Sequence, residues 1–284
     1  MKCQRRCMSR GFYPLTVIAL FASFVALGSG CASPVPGSAN SLSSRSGKQM
    51  QVSLTFRNPV NPNYHYFFLI NNSNNASGPW PQPVGSPVSG QTYGNGIATG
   101  SDNKSGGFTD FILYSNQQYA GAAPSNNFAL YHVTNGTDAN IYTNFVANGA
   151  PIQTSISTDG RTITFVIDLA QLYPSPTSQA SAVNQALHTR WMQVNVVATN
   201  TVPTESQTGI IKEFDSLGDD SNGVGNYLLV DLNQQSYANN DGQTATITCS
   251  EPANDDVFVT PINSSAQDPQ LDLVNWSVQI AITG

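Results

Sequence analysis

The chain has 284 residues, and only 10% of them are charged, against about 25% in an ordinary globular domain. The formal charge is −6 and no basic cluster occurs beyond residue 10, which excludes nucleic acid as a partner and purely electrostatic attachment to anionic lipid. Asn, Gln, Ser and Thr supply most of the polar surface, a composition that suits an exported β protein.

The first 31 residues set the compartment. Lys2, Arg5, Arg6 and Arg10 make a cationic start, and residues 15–27 form an apolar run of 13 residues. That run is too short to span a bilayer comfortably and fits the hydrophobic region of a secretory signal. Gly28, Ser29 and Gly30 then lead to Cys31. This segment resembles a bacterial lipoprotein signal, although Gly28 stands where that motif has Leu and Leu27 sits one place earlier. The resemblance implies that Cys31 becomes a lipidated first residue, held on the outer side of the cytoplasmic membrane or in the outer membrane. Two alternatives are cleavage after Ala32, which frees the protein, and an uncleaved anchor. Residues 32–48 are rich in Pro, Gly and Ser without apolar periodicity, as expected of a flexible spacer. The expected organisation is a signal peptide at 1–30, a lipidated cysteine and tether at 31–49, and one domain at 50–284. Loss of the leader removes four cations and no anions, taking the charge from −6 to −10. Cys3 and Cys7 leave with it, so Cys249 has no partner within the chain and no disulfide framework is expected.

Strand patterns come next along the chain. Val52, Leu54 and Phe56 alternate in 51–56, and 64–70 is apolar nearly throughout, as in a central strand covered on both sides. A Gly-, Pro- and Asn-rich stretch, 71–107, reads as one long loop. Strands are expected again at 108–115, 127–134 and 139–146. Asp159-Gly160 predicts a hairpin between 151–157 and 162–169, because Gly accepts the positive φ of such turns. Residues 178–188 predict the one helix, with Val183, Ala186 and Leu187 as its apolar stripe and Ala180 or Ala182 extending it. Further strands are expected at 191–200, 209–214, 226–232, 244–250, 257–262 and 273–283. In 244–250, Ala245, Ile247 and Cys249 share a face, so Cys249 reads as a small buried hydrophobe. In 273–283, Val274, Trp276, Val278, Ile280 and Ile282 are expected to face inward. About a dozen strands with one short helix predict an all-β fold, an antiparallel, jelly-roll-like β-sandwich.

The passage from Thr162 through Leu172, a short helix, and then Arg190-Trp191-Met-Gln-Val-Asn-Val197 is similar to the strand, helix, Trp-led strand passage of family 9 carbohydrate-binding modules and related DOMON-type sandwiches. It covers about 36 residues. The resemblance implies a sandwich and sugar binding, and matches none of that family's binding residues one by one.

No His-Glu-x-x-His, phosphate loop or Gly-x-Ser-x-Gly elbow occurs, so no catalytic residue is assigned and the chain reads as non-enzymatic. His65, His132 and His188 are far apart and read as structural. Trp80, held between Pro79 and Pro81, is a candidate stacking surface for a sugar ring, with Tyr93 and Asn95 as neighbouring contacts; the competing reading folds Trp80 back as a cap. Asp215, Asp219, Asp220 and Asn222 are candidate calcium ligands, and the Asn-rich run 71–75 is a weaker one; in both, turn chemistry is the competing explanation. No other cofactor is expected. The favoured function is carbohydrate binding by an envelope-tethered domain. The first rival is an assembly lipoprotein that holds other envelope proteins. The second is a hydrolase with a noncontiguous site, which a buried Asp–His pair opening into a cleft would favour. Cys31→Ser is expected to release the protein from the membrane fraction or stall its processing. An unmodified mature terminus at Ser33, read by intact mass, would contradict lipidation.

Overall fold

The computed structural model describes residues 47–84, 95–102, 105–134, 145–173, 178–203, 210–218, 226–239, 251, 257–260 and 268–282. The chain divides into two units at Pro36, and all the described residues belong to the second, which begins at Gly37. Its strands are β1 (Lys48–Phe56), β2 (His65–Asn71), β3 (Pro81–Pro83), β4 (Ala98–Gly100) and β5 (Asp110–Tyr114). They continue as β6 (Phe128–Val133), β7 (Phe145–Ala147), β8 (Gln153–Ile156), β9 (Thr162–Asp168) and β10 (Trp191–Thr199). The last are β11 (Lys212–Ser216), β12 (Leu228–Asp231), β13 (Ser236–Ala238), β14 (Phe258–Thr260) and β15 (Leu273–Ile282). One α-helix, α1 (Gln179–His188), precedes β10. The fold is an all-β, antiparallel sandwich.

A five-stranded sheet has the order β13-β15-β1-β9-β8. An eight-stranded sheet runs β14-β11-β10-β2-β5-β6-β7, with β12 also paired to β10. β1 shows why the layers form. Met50, Val52, Leu54 and Phe56 are buried on one face, while Gln49, Gln51, Ser53 and Thr55 lie on the other. β1 is paired along its length with β15 on one side and β9 on the other. The β8–β9 hairpin turns where Asp159-Gly160 predicts it, with Gly160 at φ +73°.

Trp276, Ile280, Phe165 and Ile167 are all buried. The sequence reading expects these four on facing sheets; they lie instead side by side in the five-stranded sheet, because alternation tells which face is inward but not which strands share a sheet. Leu54 stands opposite Trp276, Val52 opposite Phe165, and Met50 opposite both Ile280 and Ile167. The facing layer comes from β2: Phe68 meets Phe165 edge-on at 5.4 Å, and Tyr66 meets Phe56 at 4.9 Å.

The inward set on β15 also differs from expectation. The register slips between Thr55 and Phe56, so that Thr55 pairs with Asn275 and Phe56 with Leu273. Val274 is the extra residue of this bulge and is only half-buried, while Leu273 takes the core position. Ile282 continues the alternation but lies beyond the core, 64% exposed.

β2 is covered on both sides, as its unbroken apolar run implies. Tyr66, Phe68 and Ile70 enter the inter-sheet core. Phe67 and Leu69 join Phe111, Leu113 and Tyr131 in a second core on the outer side. The stretch expected to be one loop, 71–107, supplies its cover. β3 and β4 pair within it, and Ile97, Ala98 and Phe108 pack onto the outer face. Gly107, at φ +74°, permits close packing there, since a Cβ would meet the Trp80 carbonyl oxygen at 2.6 Å.

Helix α1 starts at Ser178, whose hydroxyl accepts from the Ser181 amide at 3.3 Å. It buries Ala182 and Ala186, with Val183 packed partly against the core, whereas Leu187 is 46% exposed. Of the expected stripe, Val183 and Ala186 with Ala182 as its extension face the core, beside the 3₁₀ turn Leu169–Leu172, and Leu187 alone departs. The expected strand at 139–146 is seen as β7 from Phe145 onward, and 139–144 lie outside the described residues, as does 244–250 with Cys249. Trp276→Ala should cost about 3–5 kcal/mol by the large-to-small scale. Ile282→Ala should stay within about 0.5 kcal/mol. Urea unfolding midpoints of the two variants check this contrast.

Candidate functional site

Cys31, Tyr93, Asp219, Asp220 and Asn222 lie outside the described residues. The remaining candidates have internal duties. Trp80 is half-buried, and its ring stacks on Tyr227 with centroids 4.5 Å apart and planes 14° from parallel. Its backbone is clamped by Ser101, whose hydroxyl accepts from the Trp80 amide at 3.2 Å and whose amide donates to the Trp80 carbonyl at 3.1 Å. One indole face is therefore taken, and the geometry is nearer a cap than a freestanding platform. Asn95 is 1% exposed, and its carbonyl oxygen accepts from the amides of Ile97 and Ala98 at 2.8 and 2.9 Å. It shapes a turn; it is not an amide displayed to a ligand.

Asp215 is not a loop residue. It lies in β11, buried, and its carboxylate accepts from the amides of Ser216 at 2.7 Å and Leu273 at 2.6 Å. Both oxygens are engaged by backbone donors, which explains the residue without a cation. Among the described residues no group of three or more His, Cys, Asp or Glu side chains is placed to hold a metal. The Asn-rich run 71–75 also has protein partners: Asn71 accepts from the Ser73 amide and Asn75 from the Ser77 amide, both turn bonds, while Asn74 reaches across to the amides of Arg190 and Trp191 at the start of β10.

Two buried ionisable groups have no sequence signature. Lys212 is fully buried and its ammonium donates to the carbonyls of Val84 at 2.7 Å and Gly96 at 2.8 Å, beside the Phe214 ring. Burial pushes its pKa down to about 7. Asp110 is also fully buried, opposite His132 on the neighbouring strand. Its Oδ1 lies 2.9 Å from His132 Nδ1, and its Oδ2 accepts from Asn72 Nδ2 at 2.9 Å. Asn72 donates in turn to the Leu172 carbonyl, tying this sheet to the 3₁₀ turn. Burial pushes the Asp110 carboxyl upward, and its bond to His132 pulls it down.

The outer face of the five-stranded sheet is different in kind. Gln153, Val166, Gln51, Gln279 and Ser236 stand in one register row across β8, β9, β1, β15 and β13. With Gln49, Gln235, Ile280 and Ala281 they line a groove of about 400 Å³. Among the described residues that line it, five of nine are glutamines and none is ionisable. Beside the groove run shorter hydroxyls already joined in pairs, Ser53 to Thr164 at 3.1 Å and Thr55 to Thr162 at 3.0 Å. Gln49 Nε2 is buried with no hydrogen-bond partner. Each glutamine brings two N–H donors and a carbonyl acceptor, so the groove matches a neutral ligand rich in groups that both donate and accept. Sequence reading missed this row because its members are far apart in the chain. The usable signal was the polar half of the β1 and β15 alternation, Gln49, Gln51, Ser53 with Asn275, Ser277, Gln279.

No family model, curated protein or solved structure matches the chain. Only its own residues bear on its chemistry.

The Asp110–His132 pair gives a pH test. His132→Ala leaves a buried carboxylate without its imidazole, so Asp110 titrates higher still above its ordinary 3.8. A raised folded pKa means that the protonated form suits the fold: stability is retained at low pH and lost as pH rises through the folded value. The variant should lose about 1–3 kcal/mol near pH 7, the cost of leaving a buried acceptor without one partner, and less as pH falls toward 4. Denaturation curves at several pH values check this, and a pH-independent gap would contradict it.

Proposed function

We propose that the protein is an exported, envelope-tethered β-sandwich that binds carbohydrate and carries out no chemistry of its own. What supports the reading most is the uncharged amide groove on the outer face of the five-stranded sheet. Sugar hydroxyls both donate and accept, and glutamine amides meet both needs without a charge to desolvate. β1, which contributes Gln49 and Gln51 to the groove, follows the Pro-, Gly- and Ser-rich spacer in sequence, and a tether at Cys31 would hold the domain near a membrane. Stable anchoring calls for more than one acyl chain.

Assembly with envelope proteins is the second reading. It draws on two exposed aliphatic residues near the domain's first strand: Ile282 pairs with Lys48, and the Lys48 ammonium donates to the Leu187 carbonyl at 3.1 Å. The hydrolase reading draws on Asp110 and His132 alone, and Asp110 already serves to join strand, Asn72 and 3₁₀ turn. A glycan-array screen of the full chain tests the first reading. Binding to a defined set of glycans is expected; binding to none, together with capture of an envelope protein lost on Leu187→Asp or Ile282→Asp, would put the assembly reading in its place.

A further inference from the structure

We infer that the ligand is a neutral polysaccharide segment that lies across the strands of the five-stranded sheet, along the row from Gln153 through Gln51 and Gln279 to Ser236. This rests on the carbohydrate-binding reading and deepens it.

Three observations fix the chemistry and the direction. First, the row crosses five strands in continuous register. Four inter-strand steps of about 4.8 Å give about 19 Å, room for several sugar rings end to end. Following one strand instead leads from amides to the Ser53–Thr164 and Thr55–Thr162 pairs, where hydroxyls already bond each other. Val166, only 8% exposed, lies low in the row between Gln153 and Gln51.

Second, among the described residues the groove holds no countercharge for an acidic polymer. None of its lining residues is ionisable. Asp168, opposite Gln49, is 2% exposed and turned to cap the 3₁₀ turn through the Ala170 amide. The chain as a whole is acidic, at −6. A carboxylated or sulfated glycan would be desolvated without a partner and repelled at long range.

Third, Gln49 lines the groove and its Nε2 donor is buried without an acceptor. An unmet buried donor is costly, and turning the Gln49 side chain outward to a ligand oxygen would remove that cost. An extended peptide is a poorer occupant, because peptides dock by adding to a sheet edge and the groove lies on a face.

Affinity electrophoresis of the full chain, in gels carrying hydroxyethylcellulose, galactomannan or dextran, or the acidic polygalacturonate or alginate, tests this. Retardation by at least one neutral polymer and by neither acidic one is expected. Gln51→Ala, Gln153→Ala and Gln279→Ala, on three different strands, should each weaken binding about five- to tenfold, the worth of one hydrogen bond. Thr55→Ala, on the same strand as Gln51 but off the row, should leave it unchanged. All four sites are at least partly exposed, and unchanged melting temperatures confirm intact folds. Equal weakening by Thr55→Ala would overturn the crossing direction, and retardation by polygalacturonate or alginate would overturn neutrality. Loss on Tyr227→Ala but not on the glutamine variants would move the site to the Trp80 stack, leaving carbohydrate binding itself in place. No retardation by any polymer, with no array binding, would remove both proposals. Sedimentation that shows dimers abolished by Gln51→Ala would identify the face as a contact between copies and overturn the glycan assignment.

Discussion

The register of β1 between β15 and β9 is the constraint on which the rest of the structure depends. Because side chains alternate along a strand, the same nine residues decide both what is hidden and what is displayed. Met50, Val52, Leu54 and Phe56 form the floor of the inter-sheet core, and the residues between them form the amide and hydroxyl face. A slip of one residue would exchange the two sets. The core holds the register in place through large rings, Trp276 and Phe165 on either side and Phe68 opposite, and so it also holds each glutamine in its row. Amide face and core are two results of one pairing.

The eight-stranded sheet is organised differently. Its central strands are apolar on both faces, so it needs covering twice: once by the five-stranded sheet, and once by the segment carrying β3 and β4. That second cover is polar where it meets β10. There Gln193 donates to the carbonyls of Asn75 and Gly78, and Asn195 to those of Pro81 and Asn226. Lys212 extends the same logic with an ammonium in place of an amide. Side chains of the sheet thus provide the hydrogen bonds that an irregular cover cannot make to itself.

Most of the fold was legible in the sequence, because period-two alternation is local. The β8–β9 hairpin, the helix after Ser178 and the doubly covered β2 all arise from residues within a few positions of one another. What was not legible depends on distant partners. Val274 reads as an inward residue until Phe56 is known to pair with Leu273. Leu187 reads as a core residue until Ala182 and Ala186 are seen against the 3₁₀ turn. Trp80 stands out for its prolines, but its role depends on Tyr227, 147 positions away, which nothing near it announces. The groove was invisible for the same reason: its five strands come from four separate parts of the chain. Asp215 reads as one carboxylate of a loop because Asp219 and Asp220 come soon after it, whereas the backbone of Leu273 is its partner.

The pairing of Lys48 with Ile282 has a consequence for how the protein comes into being. It joins the first described strand to the last, so the central sheet cannot close until nearly the whole chain is present. Contacts of such wide sequence separation fold slowly. During synthesis β1 emerges before β15 and waits, with one edge open, for a partner that arrives much later. Until then it offers an unpaired, half-apolar ribbon to any neighbouring chain, the kind of edge from which aggregation starts. A product truncated before residue 273 would keep that edge open permanently, which makes the C-terminal strand the lock on the assembled sheet.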